Sequence, residues 1–387
     1  MTYNVSDFGD MLSDPVRMTA YAQALREALA ACPDAFVLDI GTGTGVMALL
    51  ACRLGARRVY AVEPLDTIEV GRRAAADNGL AERIHFIQGL STAISLPQPV
   101  DIVVSDLRGM LPLKAGHLEA ITDARRRHLR PGGRLLPERD RLVAAPIRAD
   151  RRHQALVQPW GASRWHLDLS AGRELATGQV LKHRASAGDL VAPPQTWTQL
   201  DYFVIENGPL VGSLNWTVET PATAHGIAMW FETVIASSIG FATGPADPPT
   251  VYGQAFFPWP SAVTLEAGDR ITADLRADPT GGEWLWRWTT TVTDPRGTPR
   301  ARFAQSTLAG LPLGLDRLRR SADGYVPPPS MEAAIDHLVL GLLDGHHSLG
   351  EIAHRLVDRF PDHFSRWQDA LTHVAGVAQR YHEPRSR

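Results

Sequence analysis

The chain has 387 residues, of which 44% are hydrophobic, and its formal net charge at pH 7 is −3. A chain of this length predicts two or more packed domains, and its slightly negative charge excludes bulk affinity for nucleic acid as the basis of its function. We expect no signal peptide and no membrane-spanning segment, and the two cysteines, Cys32 and Cys52, are expected to be reduced, which suits a cytoplasmic protein.

The first third of the chain alternates between helical and strand patterns. Helices are predicted over residues 14–29, 46–54, 67–78 and 116–129, and strands over residues 35–40, 59–62, 84–87 and 100–105, with a fifth strand after the turn at residues 131–133. Strands that alternate with helices predict a parallel, doubly wound α/β sheet. Ligands of such sheets lie beyond the carboxyl ends of the strands, so the site is expected at that edge.

A glycine-rich turn follows the first predicted strand. Its sequence is Gly41-Thr42-Gly43-Thr44-Gly45, and an apolar helix comes directly after it. Glycines allow a sharp turn, and the free N–H groups at the start of the helix then face a ligand. A plain tight turn is the alternative interpretation. The spacing G-x-G-x-G differs from the G-x-G-x-x-G that is usual in dinucleotide sites, which favours a different adenosine ligand.

Two acidic residues flank this turn. Asp39 lies two residues before the first glycine, where it either belongs to the binding site or caps the turn. Glu63 ends the second predicted strand, about 20 residues after the glycines, where an acid typically accepts hydrogen bonds from both ribose hydroxyls. A solvated strand end is the alternative for Glu63. Together with the glycines, the two acids predict an adenosine ligand that need not carry phosphates, such as S-adenosylmethionine.

Further motifs flank the glycine turn in a fixed order. They are Phe8-Gly9 with the segment up to Arg17, then Gln88-Gly89-Leu90-Ser91, then Pro131-Gly132-Gly133. With the glycine turn and Glu63, they resemble the protein arginine methyltransferase family, continuously over residues 8–147 and traceably to about residue 295. The resemblance implies S-adenosylmethionine as cofactor, with Arg17 on its methionine carboxylate and the backbone of Leu90 and Ser91 against adenine. The complete set of expected cofactor-binding residues is Arg17, Asp39, Gly41, Thr42, Gly43, Gly45, Glu63, Leu90 and Ser91.

The acceptor side of the expected site departs from this family. The family carries two glutamates on the hairpin after its fourth strand; here Asp106 replaces the first and Ala115 replaces the second, and the family's Thr-His-Trp loop becomes Thr250-Val251-Tyr252. Loss of one partner from a buried ion pair typically costs about 3–5 kcal/mol. We therefore expect an acceptor that is smaller than, or different from, protein arginine.

The catalytic candidates lie on or next to the same hairpin. Asp106 is predicted to point at the incoming nucleophile, either as a hydrogen-bond acceptor or as a base. His117 is a second candidate base, with a surface residue of a helix as the alternative. Arg108 either steers a carboxylate-bearing acceptor or takes no part in binding.

The second half of the chain is predicted to differ in architecture. Residues 1–141 are expected to form the cofactor domain, and residues 142–320 a β-barrel with strands near 202–205, 228–234 and 284–289. Its aromatic residues are interpreted as barrel core, with a wall that faces the substrate as the alternative. The segment 160–170 falls where the family has an arm that docks on a second subunit, which implies a homodimer.

A small helical module is predicted at residues 331–387, after a proline-rich linker. Apolar stripes mark its first two helices, and a Ser348-x-x-Glu351 capping box marks the start of the second. The surrounding Leu-Asp-Gly-x-x-Ser-Leu-x-Glu-Ile pattern resembles winged-helix modules of the peptide-chaperone type, and a structural lid or a dimer element is the alternative. The histidines of this module lack metal-site spacing and are interpreted as solvated, so no metal is expected.

These observations lead to one functional hypothesis with two alternatives. Methyl transfer from a sulfonium mainly requires that the protein align the nucleophile and keep it unprotonated. We predict an S-adenosylmethionine-dependent N- or O-methyltransferase that acts on a small molecule or peptide, in natural-product biosynthesis, without nucleic-acid or membrane partners. The alternatives are an arginine N-methyltransferase that retains only Asp106 of the acceptor clamp, and a non-catalytic scaffold subunit. An intact Arg17, glycine turn and Glu63 argue against the scaffold.

Overall fold

The structure is a computed structural model that describes residues 5–114, 116–161, 167–280, 283–310, 319–320 and 323–381. The chain divides into two units, Met1–Pro312 and Leu313–Arg387. Among the described residues, no helix is both long enough and apolar enough to cross a membrane.

A five-stranded parallel sheet forms the first layer of the larger unit. Its strands are β1 (Phe36–Ile40), β2 (Arg58–Glu63), β3 (Ile84–Gln88), β4 (Val100–Ser105) and β5 (Leu129–Leu136). The strand order is β3-β2-β1-β4-β5, and every neighbouring pair is parallel. The predicted doubly wound sheet is therefore confirmed. Because the chain leaves β1 toward β2 on one side and returns to β4 on the other, a crevice opens between the ends of β1 and β4, where such sheets bind ligands.

Helices accompany the parallel sheet. They are α1 (Val5–Leu12), α2 (Pro15–Ala31), α3 (Val46–Arg53), α4 (Ile68–Asp77) and α5 (His117–Arg127). Asp14 caps α2 by accepting the N–H of Arg17 at 3.0 Å, and Pro15 suits the first helical position because its missing N–H would have no partner there. The helix α1, which precedes this cap, is not among the predicted helices.

Two boundaries of the predicted elements are wrong around β5. The helix expected over residues 116–129 ends at Arg127, and Leu129 already pairs with Val100. The next pair of the ladder is Ile102 with Arg134, so the residues expected to form a turn before the strand form an irregularity inside it. Glycine and proline interrupt the ladder at this point because they weaken or cannot complete strand pairing.

Two antiparallel sheets form the rest of the larger unit. One contains β6 (Arg139–Ile147), β7 (Leu181–His183), β8 (Gln195–Asp201), β10 (Ala222–Ala236), β11 (Ile239–Ala242) and β12 (Gln254–Leu265). The other contains β9 (Leu210–Thr217), β13 (Arg270–Thr280), β14 (Glu283–Thr293) and β15 (Pro299–Ser306). The helices α6 (Asp150–Val157) and α7 (Ser170–Thr177) lie between β6 and β7 in the chain. The predicted barrel-like antiparallel domain is confirmed, and its first strand begins at Arg139, before the expected boundary.

Aromatic side chains fill the space between these strands. Trp259 and Phe257 of β12 are fully buried, and Trp286 and Trp288 of β14 are nearly so. The ring centroids of Phe257 lie 5.0 Å from Trp286 and 5.3 Å from Trp288, both in edge-to-face geometry, which is a favourable arrangement for aromatic pairs. For these four residues, the interpretation as barrel core is confirmed.

One expected strand of this region is wrong. Residues 202–205 form a turn after β8, although their aromatic and β-branched side chains favour a strand. The carboxylate of Asp201 accepts the N–H of Phe203 at 3.0 Å, and its carbonyl accepts the N–H of Val204 at 3.1 Å and of Ile205 at 2.8 Å. Asp201 therefore ends the strand, because a side-chain hydrogen bond to the backbone two residues on favours a turn.

The smaller unit is a bundle of three helices, α8 (Met331–Leu342), α9 (Leu349–Arg359) and α10 (Trp367–Tyr381). Ser348 and Glu351 form the expected capping box at the start of α9. The side chains of Ile335, Ile352, Leu356 and Val374 are fully buried in a core of their own. The predicted helical module is thus seen, and it contains a third helix.

Candidate functional site

The glycine turn lies at the carboxyl end of β1 in a conformation that requires glycine. The φ angles of Gly41, Gly43 and Gly45 are 71°, 54° and 84°, values that side-chain-bearing residues rarely adopt. A Cβ on Gly41 would lie 2.2 Å from a methyl carbon of Leu107, and one on Gly43 would lie 2.3 Å from the ring of Phe8. The turn is therefore enclosed by α1 on one side and by the hairpin after β4 on the other.

Asp39 stabilises this turn through hydrogen bonds. Its buried carboxylate accepts the hydroxyl of Thr42 at 2.5 Å and also the N–H of Ala48. Burial raises the pKa of Asp39 to about 7, against the lowering by these two hydrogen bonds. These contacts agree with the alternative in which Asp39 caps the turn, and a direct contact with the ligand stays a prediction.

Replacement of Asp39 by asparagine is expected to remove a pH-dependent loss of stability. Because the folded pKa lies near 7, above the ordinary 3.8, the folded state holds the proton more tightly, and the stability linked to that proton is lost as the pH rises from about 4 to 7. Asparagine keeps an oxygen for Thr42 without a charge to bury. The free energy of unfolding of Asp39→Asn should gain about 1–4 kcal/mol relative to the wild type between about pH 4 and pH 8. Urea denaturation at both pH values measures this; parallel pH profiles of the two proteins would contradict it.

Glu63 lies at the end of β2, directly beside the glycine turn. Its two carboxylate oxygens accept the N–H groups of Gly43 and Leu65, each at 3.0 Å, and its side chain is buried. The alternative of a solvated strand end is therefore wrong. Each carboxylate oxygen keeps a further lone pair, so Glu63 can also accept hydroxyl groups from a ligand in the crevice.

The segment expected against adenine lies next to Glu63. The N–H of Gly89 donates to the carbonyl of Glu63 at 3.1 Å. The side chain of Leu90 is 61% exposed, whereas Ser91 is buried and its carbonyl accepts a hydrogen bond from Arg127 at 3.0 Å. The structure thus brings the Leu90–Ser91 backbone, Glu63 and the glycine turn together at one sheet edge.

Arg17 and Asp106 form an ion pair across the same crevice. Arg17 is on the first turn of α2, and its Nε donates to Oδ2 of Asp106, which follows β4. The hydroxyl of Tyr252 donates to the same oxygen at 2.6 Å. Burial alone would raise the pKa of Asp106, but the charges of Arg17 and Arg108 outweigh it and hold the pKa at about 2. Asp106 is therefore an ionised carboxylate at neutral pH.

Asp14 positions the loop that carries Tyr252. One of its carboxylate oxygens caps α2, and the other accepts the N–H of Val251 at 2.7 Å. The loop at Thr250-Val251-Tyr252, which the sequence marks only as a departure from the family, is thus tied to the helix that carries Arg17.

Arg108 is a fully enclosed charged group of the site. Its side chain is fully buried and donates to Asp106 at 3.1 Å, to Asp140 at 2.9 Å, to Thr233 at 2.8 Å and to the hydroxyl of Tyr21 at 2.7 Å. The carbon of its guanidinium lies 5.0–5.8 Å from four aromatic ring centroids, those of Tyr21, Phe231, Phe241 and Tyr252. Arg108 therefore belongs to the site, although its guanidinium is already surrounded by protein groups.

His117 lies at the far end of the same network. The hydroxyl of Tyr202 donates to Asp140 at 2.6 Å and lies 2.9 Å from Nε2 of His117. His117 is fully buried, and its Nδ1 has no hydrogen-bond partner among the described residues. Burial, with the charge of Arg108, lowers the pKa of His117 to about 3. The alternative of a surface residue is wrong, and the imidazole is neutral and separated from Asp106 by Tyr202, Asp140 and Arg108.

Sequence reasoning missed four members of this network, Asp140, Tyr202, Tyr21 and Thr233. Asp140 stands between Arg139 and Arg141 at the charged start of β6, so no local pattern marked it as buried. Tyr202 carried no signal of its own. Ala115, the residue expected to replace the family's second glutamate, lies outside the described residues, as does part of the segment 160–170 that was expected to form a dimer arm.

Comparison with known proteins relates both layers of the larger unit to one family. Residues 37–133 match the model of a methyltransferase domain, and residues 138–283 match the arginine methyltransferase oligomerization subdomain. Protein arginine N-methyltransferase 6 of Xenopus laevis is 26% identical over 288 residues, which cover 71% of this chain and 84% of that protein. Protein arginine N-methyltransferase 1 of Saccharomyces cerevisiae is 26% identical over 278 residues, which cover 70% of this chain and 80% of that protein.

A solved structure shares the fold. It is the enzyme–prozyme heterotetrameric complex of Trypanosoma brucei protein arginine methyltransferase 1 with S-adenosylhomocysteine. The TM-score is 0.70 at 22% sequence identity, and the match covers 77% of this chain and 96% of that chain. The likeness extends over the parallel sheet and the antiparallel strands alike.

Proposed function

Because the chain belongs to a protein arginine methyltransferase-like family of S-adenosylmethionine-dependent methyltransferases, we propose that it transfers a methyl group to a guanidino nitrogen of an arginine side chain. The observation that carries this proposal is the similarity, over both the cofactor domain and the antiparallel domain, to relatives named protein arginine N-methyltransferases. This similarity favours the arginine alternative over the hypothesis of a small-molecule acceptor.

The residues around the crevice fit the cofactor. An acid at the end of β2 and a glycine turn with positive φ angles after β1 suit an adenosine ligand held against backbone. We propose that Glu63 accepts the ribose hydroxyls, that the backbone at Leu90 and Ser91 faces adenine, and that Arg17 pairs with the carboxylate of the methionine moiety. Gly41, Thr42, Gly43 and Gly45 would line the methionine and ribose. When bound, the cofactor supplies an electrophilic methyl group on a sulfonium.

The acceptor side depends on Asp106 in this proposal. Its carboxylate is ionised, follows β4 at the crevice between β1 and β4, and already accepts hydrogen bonds from the guanidinium groups of Arg17 and Arg108. A carboxylate in this state can orient an N–H group of the acceptor, or take up its proton. His117 supports Asp106 only through Tyr202 and Arg108, so we assign it a positioning role and not that of a base.

A second candidate function is favoured by one specific observation, the buried cation of Arg108 beside Asp106. Two arginines already share this carboxylate, which suits an uncharged nitrogen or oxygen acceptor on a small molecule or peptide, as in natural-product biosynthesis. A cation is a poorer partner for a carboxylate whose charge is balanced.

Product mass distinguishes the two functions. The protein and S-adenosylmethionine are incubated with an arginine-rich peptide and with a matched peptide in which every arginine is replaced by citrulline, whose ureido group is uncharged. We expect the mass of added methyl groups on the arginine peptide alone. Methylation of uncharged acceptors only would favour the second candidate. Binding of S-adenosylhomocysteine without turnover on any acceptor would favour the non-catalytic subunit.

We further propose that the protein works as a homodimer in the cytoplasm. The match to an oligomerization subdomain supports the assembly. Cys32 and Cys52 are both free thiols in the structure, which suits a reducing compartment.

A further inference from the structure

Arg108 and Asp140 form a charge pair inside the acceptor side of the site. Both side chains are fully buried, and their contact at 2.9 Å joins the hairpin after β4 to β6. A buried arginine without a partner is strongly unfavourable, so the two residues depend on each other.

Arg108 of this pair reduces the number of hydrogen bonds that Asp106 can still accept from an acceptor. An ionised carboxylate has about four lone-pair positions. In the structure, Oδ1 accepts from Arg108, and Oδ2 accepts from Tyr252 and Arg17. Even when Arg17 turns to a cofactor carboxylate, Arg108 stays in place, because Asp140, Thr233 and Tyr21 hold its other nitrogen donors.

The net charge of the site also disfavours a positively charged acceptor. Arg17 and Arg108 are balanced by Asp106 and Asp140, so these four side chains sum to zero. A bound cofactor with a sulfonium, an ammonium and a carboxylate adds one positive charge. A guanidinium acceptor adds a second positive charge next to Arg108, within a region that is largely closed to water, where like charges repel strongly. An uncharged acceptor of the same shape avoids that repulsion.

We propose that Arg108, with Asp140 as its counter-charge, determines acceptor specificity by weakening the capture of positively charged acceptors at Asp106. The inference rests on the proposed transfer to a guanidino nitrogen, which it deepens: the wild-type site holds arginine no better than an uncharged isostere. Removal of the pair as a unit frees Oδ1 of Asp106 from a fixed cation and makes the site selective for a cationic acceptor.

The test is a binding measurement on the full chain saturated with S-adenosylhomocysteine. Calorimetry gives the Kd of an arginine peptide and of its citrulline isostere for the wild type and for the double variant Arg108→Met/Asp140→Ala. Methionine follows the length of the arginine stem, and replacement of a buried ion pair by apolar groups is often neutral or stabilising. A matched control, Arg73→Met/Asp77→Ala, removes the same two charges from an exposed pair on α4.

We expect the double variant to bind the arginine peptide at least about 10-fold more tightly than the wild type does, with the citrulline peptide and the control variant unchanged. An unchanged ratio of the two Kd values would overturn the proposal. If the apolar variant does not fold, Arg108→Gln/Asp140→Asn is subjected to the same measurement and the same criterion. Turnover is recorded separately: a wild type that methylates no arginine peptide defeats the proposed function, while the Kd ratio still decides the role of Arg108.

Discussion

Replacement of Asp106 by asparagine is expected to lower kcat for methyl transfer by about 10²–10⁴, the range typical of a lost acid–base or orienting group. Asparagine keeps the shape of the side chain and one acceptor oxygen. It lacks the negative charge that, in the proposed function, orients the acceptor N–H. The affinity for S-adenosylhomocysteine should not fall, because the variant releases Arg17, the proposed partner of the cofactor carboxylate, from its ion pair with Asp106.

Single-turnover kinetics with the acceptor identified by product mass measure this effect. Asp77→Asn, at an exposed position on α4, is the matched control and should turn over like the wild type. A fall in cofactor affinity that accounts for the whole loss of rate would assign Asp106 to the cofactor side. An unchanged kcat would exclude it from the reaction.

The pKa of Asp106 predicts how the stability of the fold and the activity depend on pH. Its folded pKa of about 2 lies below the ordinary 3.8, so its ion pairs stabilise the fold above that ordinary value and are lost as the pH falls toward about 2. The carboxylate is therefore ionised throughout any neutral assay range. A titration seen in kcat/KM near neutral pH belongs to another group, such as Asp39, whose pKa is raised by burial to about 7.

Replacement of Glu63 by alanine is expected to weaken the binding of S-adenosylhomocysteine by about 10-fold or more, roughly 1.4 kcal/mol at the least. Hydrogen bonds to a charged group contribute about 1.5–3 kcal/mol each, and Glu63 is placed to accept two ribose hydroxyls. Calorimetry on the wild type and the variant measures the ratio of the two Kd values.

A control is needed because Glu63 also accepts the N–H groups of Gly43 and Leu65. Glu63→Gln retains the size of the side chain and one acceptor oxygen, and thermal denaturation reports whether either variant loosens the fold. Weakened binding in both variants at unchanged Tm supports the cofactor role. Wild-type affinity in Glu63→Ala would contradict it, and absence of binding in the wild type would shift the weight to a non-catalytic subunit.

The cofactor half of this protein was accessible from the sequence because its determinants are local. A glycine turn with positive φ angles needs glycine at fixed positions, and Glu63 ends the very next strand. Alternation of strands and helices then places both at one sheet edge. The family resemblance added Arg17, whose position on the first turn of α2 follows from the cap at Asp14.

The acceptor half was decided by tertiary structure. The sequence identified Asp106, Arg108 and His117, but whether each is exposed, paired or charged depends on partners that lie far away in the chain. Asp140 and Tyr202 come from strands and turns of the antiparallel domain, 32 and 85 residues from their contacts Arg108 and His117. Burial there makes His117, the second candidate base, a neutral core residue, and it makes Arg108 a fixed internal cation. Loss of water and the neighbouring charges decide the protonation state of both groups. Local sequence patterns do not show contacts between residues so far apart in the chain. The charge of the acceptor site is therefore decided by the folded structure alone.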